Sequence, residues 1–235
     1  MKEWEKWLKD IDLSLADRQK EQFKRYYELL VDWNKHMNLT AISDEHEVYE
    51  KHFYDSLLAT CCYPFEAVSS LADIGGGAGF PGIPLKICFP HLHLTVIEAT
   101  KKRVQFLEEL TKALSLEDVH LIHTRAEDAA REEHHRDRYD IVIARAVAKM
   151  PVLAELCLPF VHKHEVWMAL KGKSGEEELA TAREAIRVLN GGDIDRHYFE
   201  LPTEASERSI YVIGKKESTP KSYPRNAGII KKKPL

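Results

Sequence analysis

Leu71-Ala72-Asp73-Ile74-Gly75-Gly76-Gly77-Ala78-Gly79-Phe80-Pro81-Gly82 is the most informative stretch of this chain. A short apolar run ends in an acid, and five glycines follow within eight positions before residues 83–89 begin like a helix. A strand, a glycine-rich turn and a helix in this order are typical of α/β proteins whose ligand approaches bare backbone. The stretch therefore predicts a cofactor site at the end of a strand.

Two glycine patterns overlap in this stretch and point to different cofactors. Gly77, Gly79 and Gly82 match the G-x-G-x-x-G of dinucleotide-binding proteins, in which a helix N-terminus receives a pyrophosphate. Gly75, Gly77 and Gly79 match the G-x-G-x-G of S-adenosylmethionine (SAM) methyltransferases. Asp73 favours SAM, because a carboxylate repels a pyrophosphate and attracts an ammonium and a sulfonium. A purely structural loop is the remaining alternative.

Downstream of the glycines, short β-branched runs alternate with helical ones. The predicted strands cover residues 71–74, 92–97, 119–123, 139–144, 165–170, 197–201 and 209–214. The predicted helices cover residues 81–89, 101–114, 150–161 and 175–189. This alternation is typical of a doubly wound, mostly parallel sheet, and the last strand is expected to fold back antiparallel because no helix precedes it. We predict the α/β fold of a class I SAM-dependent methyltransferase (Rossmann-like), with a seven-stranded sheet.

Residues 1–60 predict an N-terminal helical extension. Ser14 and Asp17 resemble a capping pair before a long helix in which apolar residues recur every three or four positions. A second helix is predicted over residues 45–60. The predicted organisation is a helical extension at 1–60, a SAM-binding domain at 61–216 and a basic C-terminal tail at 217–235.

Composition indicates an ordinary globular chain, with 44% hydrophobic and 31% charged residues and a net charge of −4. No window approaches the roughly 20 apolar residues of a membrane span, and the N-terminal residues lack the pattern of a signal peptide. We therefore expect a cytoplasmic protein without membrane contact, and nothing in the sequence demands more than a monomer. The histidine pairs lack partners at metal-ligand spacing, so no metal site is expected.

The end of the chain is strongly basic, although the net charge is negative. Between residues 215 and 235, one acid, Glu217, stands against seven basic residues: Lys215, Lys216, Lys221, Arg225, Lys231, Lys232 and Lys233. A basic segment on an acidic chain indicates a polyanionic partner. A solvated terminus would have the same composition, so both interpretations stay open.

The ends of the second and third predicted strands supply further cofactor candidates, because ligands of open α/β sheets bind beyond the carboxyl ends of the strands. Strand two ends at Glu98, 23 residues after Gly75, close to the roughly 20-residue offset of a ribose-binding acid. Capping of the following helix is the structural alternative for Glu98. Strand three leads into residues 124–128, where backbone and a carboxylate could meet adenine.

Strand four ends at Arg145, where the methyl group would be handed over. An arginine at that point has two compatible roles. It could orient the substrate, or it could pair with Glu127 or Asp128 across the crevice.

The chain resembles the RsmG (GidB) family of 16S rRNA guanine-N7 methyltransferases over almost its whole length. The resemblance rests on residues 33–40, 52–57, the glycine stretch through Pro84, Lys102-Arg103 with Phe106-Leu107, residues 125–127, Arg145-Ala146, residues 170–172 and residues 223–225. The glycine stretch is common to many methyltransferases, whereas Asn-Leu-Thr at 38–40 and His-Phe-x-Asp-Ser at 52–56 are more specific.

The resemblance implies SAM contacts at Gly75, Phe80, Ala126, Glu127 and Arg145. It also implies a substrate, N7 of guanine 527 in the 530 loop of the small-subunit rRNA. Together with the pattern-based candidates, the expected cofactor-binding residues are Asp73, Gly75, Gly77, Gly79, Phe80, Glu98, Ala126, Glu127 and Arg145.

Guanine N7 carries an available lone pair, so its methylation needs no general base. We expect in-line transfer, with Arg125 and Arg145 in positioning roles. The predicted RNA-binding residues are Asn38, His52, Arg103, Lys171 and Arg225. The aromatic residues of the first helices, such as Phe23 and Tyr26, are expected to pack in the core.

Other functions remain open at the level of sequence. The chain could be a SAM methyltransferase acting on another RNA, a protein or a small molecule, or a SAM-binding regulator without catalysis. A nicotinamide oxidoreductase is disfavoured by Asp73.

Overall fold

The β-branched runs form seven strands that join into a single sheet in the computed structural model, which describes residues 2–235. The strands are β1 (Ser70–Ile74), β2 (His93–Glu98), β3 (Val119–His123), β4 (Tyr139–Arg145), β5 (Val161–Lys171), β6 (Gly191–Glu200) and β7 (Glu207–Lys215). Their order is β3-β2-β1-β4-β5-β7-β6, and β7 runs antiparallel to both of its neighbours while the other pairs are parallel. The predicted seven-stranded, mostly parallel sheet with an antiparallel ending is confirmed.

Ten α-helices flank the sheet or precede it in the described residues. They are α1 (Lys2–Asp10), α2 (Asp17–Asn34), α3 (Glu45–Val48), α4 (Asp55–Leu57), α5 (Gly82–Cys88), α6 (Lys101–Ala113), α7 (Ala126–Ala129), α8 (Met150–Cys157), α9 (Gly175–Val188) and α10 (Ala227–Lys232). A π-helical turn, Tyr49–Tyr54, joins α3 to α4. The helix predicted over 150–161 ends earlier, at Cys157, because Pro159 cannot continue its hydrogen bonding.

The start of α2 differs from the sequence-based prediction. Ala16, not Ser14, is the N-cap residue, and its backbone N–H donates to the side chain of Gln19 at 2.8 Å. The same Gln19 donates to the carbonyl of Ile87 at the end of α5, also at 2.8 Å. The glutamine therefore both caps α2 and ties it to the helix that follows the glycines, a tertiary role that local pattern cannot reveal.

Two hydrophobic cores cover the two faces of the sheet. On one face, α1, α2 and the segment around the π-helical turn pack with α5 and α6, and Phe23, Tyr26 and Phe53 are fully buried there. On the other face, α8 and α9 pack around Trp167 and Tyr211. The predicted packing role of the N-terminal aromatic residues is confirmed, and the N-terminal helices share one continuous core with the sheet.

The C-terminal segment is fastened to the sheet domain. Arg225 donates from Nε and Nη2 to the carboxylate of Glu155, which is completely buried on α8. Arg136 donates to the carbonyls of Thr219 and Tyr223, and Ile230 of α10 is buried. Within residues 2–235, no helix is long and apolar enough to cross a membrane.

Candidate active site

The glycine stretch folds around the side chain of Asp73, which is fully buried at the end of β1. Its Oδ2 accepts the backbone N–H of Gly82 at 2.8 Å. A Cβ on Gly76 would lie 3.1 Å from that oxygen, and a Cβ on Gly82 would lie 2.7 Å from it. Two of the five glycines therefore make room for the acid, not for a ligand.

The glycines of the methyltransferase pattern differ in what they accommodate. Gly75 and Gly79 have left-handed φ values of 70° and 97°. A Cβ on Gly79 would lie 2.6 Å from the hydroxyl oxygen of Tyr26, which donates to the Ala78 carbonyl at 2.5 Å. Gly79 thus allows α2 to dock on the turn, whereas Gly75 lines a cavity. Gly76, Gly79 and Gly82 therefore have structural reasons to lack a Cβ, and the predicted SAM contacts of Gly75, Gly77 and Gly79 stay predictions.

A cavity of about 310 Å³ opens beside Gly75, beyond the carboxyl ends of β1 and β2. We call it the glycine-loop cavity, and its lining includes Ile74, Gly75, Ile97, Glu98, Arg103, Ala126, Glu127, Ala146 and Val147. The sequence predicted several of these residues as cofactor contacts. These residues lie at or follow the ends of four strands, and they give the cavity both apolar walls and carboxylates.

Glu98 lines this cavity and also binds two backbone N–H groups beside it. One of its oxygens accepts the N–H of Gly77 at 3.0 Å, and the other accepts the N–H of Thr100 at 2.7 Å at the start of α6. Arg103 lies 3.7 Å from the same carboxylate. Glu98 is buried and binds Thr100, the N-cap residue of α6, but it does not cap the helix from solvent as the structural alternative expected.

Two buried carboxylate oxygens lack a hydrogen-bond partner within residues 2–235: Oε1 of Glu127, which lines this cavity, and Oδ1 of Asp73, which directly precedes the lining residues Ile74 and Gly75. Buried polar atoms are normally satisfied, so unpaired ones suggest a missing donor. Burial raises the pKa of Asp73 to about 7, against the lowering effect of the Gly82 N–H. A ligand with hydroxyl and ammonium donors, such as SAM, fits these two acceptors.

A larger cavity of about 740 Å³ lies next to the first and shares Ala146 and Val147 with it. We call it the arginine cavity, because Arg145 and Arg208 line it together with Lys51, His52, Asp55 and Lys171. Arg145 Nη1 donates to Oδ2 of Asp55 at 2.7 Å, and Arg208 Nε donates to Oδ1 at 2.8 Å. One buried carboxylate therefore holds both guanidinium groups.

The predicted pairing of Arg145 with Glu127 or Asp128 is wrong. Its guanidinium turns toward the N-terminal helices, where it also donates to the Lys51 carbonyl at 3.0 Å. Asp55 was not predicted as its partner. The signal available in the sequence was the His-Phe-x-Asp-Ser segment, whose acid had no assigned role.

Phe80 joins the arginine cavity to the helical extension. Its buried ring stacks with those of Tyr26 and His52, at centroid distances of 5.3 and 4.7 Å, and the Arg145 guanidinium carbon lies 5.0 Å from its centroid. Burial and the neighbouring Arg145 lower the pKa of His52 to about 3. His52 is therefore neutral at physiological pH, and its ring supports the arginine without adding charge.

The remaining predicted residues separate into exposed groups and structural ones. Asn38 and Arg125 are exposed. Arg125 follows β3, which β2 and β1 separate from Arg145 on β4, so the structure does not bring the two arginines together as a positioning pair. Lys171 donates to Glu178 at 2.7 Å on the wall of the arginine cavity. Arg225 is bound to Glu155, which argues against a direct RNA contact by its guanidinium.

Comparisons with known proteins agree with this geometry. The family model described as GidB, rRNA small subunit methyltransferase G, matches residues 19–204. The chain is 52% identical to the ribosomal RNA small subunit methyltransferase G of Brevibacillus brevis, covering 95% of this chain and 94% of the relative. It is 51% identical to the protein of the same name from Staphylococcus aureus, covering 97% and 95%.

Solved structures of low sequence identity share the fold. An O-methyltransferase from Bacillus cereus in complex with SAH has a TM-score of 0.59 at 14% identity, covering 90% of this chain and 96% of that one. TYW2 of M. jannaschii in complex with AdoMet has a TM-score of 0.55 at 14% identity, covering 75% and 80%. The predicted class I methyltransferase fold, whose cofactor is SAM, is confirmed. The chain belongs to the GidB family of rRNA small subunit methyltransferases G.

Proposed function

We propose that this chain transfers a methyl group from SAM to N7 of a guanine in 16S rRNA, at position 527 in the 530 loop. The observation that carries the proposal is the shared wall of Ala146 and Val147, which sets the glycine-loop cavity directly beside the arginine cavity. A cofactor in one and a base in the other would meet at that wall. The name carried by the relatives supports ribosomal RNA of the small subunit as the substrate.

Residues of the glycine-loop cavity would hold the donor. Glu98, Ala126 and Glu127 line this cavity, and the carboxylate of Glu98 would accept hydrogen bonds from ribose hydroxyls. Asp73 is buried directly before the lining residues Ile74 and Gly75, and its unpaired Oδ1 would accept a donor of the ligand. Bound SAM would supply an electrophilic methyl group on a cationic sulfur. Arg145 lines the other cavity, so its contribution is on the acceptor side or at the boundary between the two.

The arginine cavity suits guanine because its donors can hold the base without blocking N7. Arg145 and Arg208 are fixed by Asp55, and their remaining N–H groups can donate to O6 or to flanking phosphates. No proton has to leave N7 before attack, so a side-chain base is not required. His52, neutral because its pKa is lowered, adds no charge to a site in which the guanine becomes cationic.

Positioning supplies the main catalytic effect in this proposal. Holding two reacting groups in line contributes about 7–11 kcal/mol to lowering a barrier. The ion pairs through Asp55 and the stacking on Phe80 fix Arg145 in one arrangement before substrate arrives. Such preorganisation avoids the entropy cost of ordering the side chain during the reaction.

The RNA backbone would be held by cations around the cavities. Five cationic residues and three carboxylates line the arginine cavity. Arg103 lines the glycine-loop cavity, and Lys231, Lys232 and Lys233 are exposed on the C-terminal tail. Binding should weaken strongly with salt. Asn38 stays a predicted RNA contact, and the monomeric state and cytoplasmic location stay predictions as well.

The direct test uses labelled SAM and small ribosomal subunits from cells that lack the modification. We expect one methyl group per subunit, mapped to N7 of the target guanine, and no transfer to subunits that already carry it. Label on a different RNA, on a ribosomal protein or on a small molecule would replace the proposed substrate by one of those classes. Binding of SAM without any transfer would identify a non-catalytic regulator.

A further inference from the structure

A third cavity, of about 660 Å³, adjoins the arginine cavity on the side of the β6–β7 hairpin. We call it the hairpin cavity. It shares Gly172, Arg208 and Ser209 with the arginine cavity and extends over Lys173, Glu176, Tyr198, Glu200, Glu207 and Tyr211. A base in the arginine cavity would therefore have its chain neighbour within reach of the hairpin cavity.

Tyr198 presents an exposed aromatic ring in this cavity. Its exposed fraction is 61%, and it is one of three exposed large hydrophobic side chains in residues 2–235, with Val147 and Ile229. Val147 forms the wall between the other two cavities. The Tyr198 hydroxyl donates to Glu176 at 2.6 Å, which restrains the ring. An exposed but restrained aromatic ring is suited to stacking on a nucleobase.

Tyr211 places a buried hydroxyl on the wall of the same cavity. Tyr211 is completely buried, and its hydroxyl lacks a hydrogen-bond partner among residues 2–235. Burial raises the pKa of the phenol and Glu176 raises it further, whereas the neighbouring Ser209 lowers it. An unpaired buried hydroxyl is costly, and a ligand in the cavity could pair with it.

The charges of the hairpin cavity favour a base over a phosphate. Its lining has three carboxylates, Glu176, Glu200 and Glu207, and two cations, Lys173 and Arg208. Arg208 is already paired with Asp55. A phosphate would be repelled by this excess of carboxylates, whereas the amino group of cytosine, adenine or guanine can donate to them.

We propose that the hairpin cavity binds the nucleobase adjoining the methylated guanine, stacked on Tyr198, and prefers a base with an exocyclic amino group over uracil. The inference rests on the proposed rRNA methylation and adds a second base subsite to it. Tyr198 and Tyr211 then contribute to substrate binding, and neither takes part in methyl transfer.

The test compares Tyr198→Ala, Tyr198→Phe and Tyr211→Phe in steady-state methylation of unmodified small subunits. Loss of one stacked base should raise KM for Tyr198→Ala by roughly 5- to 100-fold with little change in kcat. Tyr198→Phe keeps the ring and should restore most of the affinity. Tyr211→Phe should raise KM without lowering the melting temperature, because it removes a hydroxyl that has no partner in the folded chain. The SAM dissociation constant should be unchanged in all three.

A second arm changes the substrate. Two kinds of subunit are reconstituted, with uracil either before or after the target guanine. The wild type should bind one of the two more weakly than the unaltered subunit, and Tyr198→Ala should bind that one and the unaltered subunit equally. If the wild type methylates the subunits and Tyr198→Ala does so with the same KM, the proposed subsite is overturned and the proposed function is not. A wild-type chain that methylates no rRNA would overturn the proposed function, and the subsite with it.

Discussion

Asp55 is the residue on which the arrangement of the active site depends. Its two oxygens bind Arg145, at the end of β4, and Arg208, at the beginning of β7. Removing one member of a buried pair leaves a poorly compensated charge, which costs about 3–5 kcal/mol in typical cases. The carboxylate therefore fixes the arginines and limits the net positive charge beside the base.

Replacement of Arg145 by alanine should lower kcat/KM for small subunits by at least about 30-fold, because a fixed, charged donor to the substrate is lost. Arg187→Ala is the matched control, since Arg187 is exposed and pairs only with Glu184 on its own helix. Steady-state methylation, SAM titration and thermal melting of both variants provide the measurement. Full methylation together with unchanged SAM affinity in Arg145→Ala would contradict its assigned role.

Asp73 should make SAM binding depend on pH near neutrality. Burial raises its pKa from 3.8 to about 7, so the folded chain retains a proton that the unfolded chain releases. This contribution to stability is complete below pH 3.8 and is lost as the pH rises through 7. A cationic ligand favours the ionised form, so SAM should bind more tightly at pH 8 than at pH 6, by up to about tenfold, and should release a proton.

Calorimetry in buffers of different ionisation enthalpy measures both the affinity and the released proton. Asp73→Asn is the control, because it keeps the shape of the side chain and removes its charge. We expect the variant to bind SAM weakly and with a smaller pH dependence than the wild type. An identical pH profile in the two proteins would exclude Asp73 as the titrating group.

At the scale of elements, the glycine turn is shaped by α2 as much as by the sheet. The Tyr26 hydroxyl donates to the turn at Ala78, in space that Gly79 leaves open. In Gly79→Ala the new residue would have to keep a left-handed φ of 97°. Its Cβ would lie 2.6 Å from Tyr26 and 2.8 Å from Ile83. The substitution should destabilise the fold by about 2–3 kcal/mol.

Chemical denaturation measures this effect, with Gly228→Ala in α10 as the control that has no close contact. Adding Tyr26→Phe to Gly79→Ala should recover part of the loss, because the hydroxyl is the nearer obstacle. Additive effects of the two substitutions would mean that α2 does not restrict the turn.

The C-terminal segment combines a structural anchor with an exposed basic helix. Replacing Lys231, Lys232 and Lys233 by alanine should reduce the slope of log K against log salt for rRNA binding by up to about 2–3. Arg225→Ala should leave that slope nearly unchanged and lower the melting temperature, since it unpairs the buried Glu155. Filter binding across a salt series distinguishes them, and a slope unaffected by the lysines would remove the tail from the RNA interface.

The sequence predicted the elements better than the connections between them. Strand periodicity and the glycine pattern located the glycine-loop cavity, because both are local signals. The pairing of Asp55 with Arg208 joins residues 153 positions apart, and no local pattern encodes it. Arg225 was predicted to bind RNA because of its charge. In the structure it binds Glu155 of α8, a contact that forms only when the C-terminal segment packs on that helix.

For the molecule as a whole, the topology explains how two reactants can meet. The β1–β4 crossover point opens between the strands that carry Asp73 and Arg145, as expected for ligand sites in doubly wound sheets. The helical extension closes the site from one face through His52, which stacks on Phe80 of the glycine turn, and through Asp55, which binds Arg145. The two cavities share Ala146 and Val147, which is where the proposed function has cofactor and base meet.

The central claim is methylation of guanine N7, and substitution of that single atom tests it most directly. Unmodified small subunits are reconstituted with either guanine or 7-deazaguanine at the target position, and transfer from labelled SAM is followed in single turnover. We predict rapid incorporation at guanine and none at 7-deazaguanine, with both kinds of subunit competing equally for the enzyme. Equal incorporation into the two substrates would contradict the account, because the methyl group would then be bound to another atom.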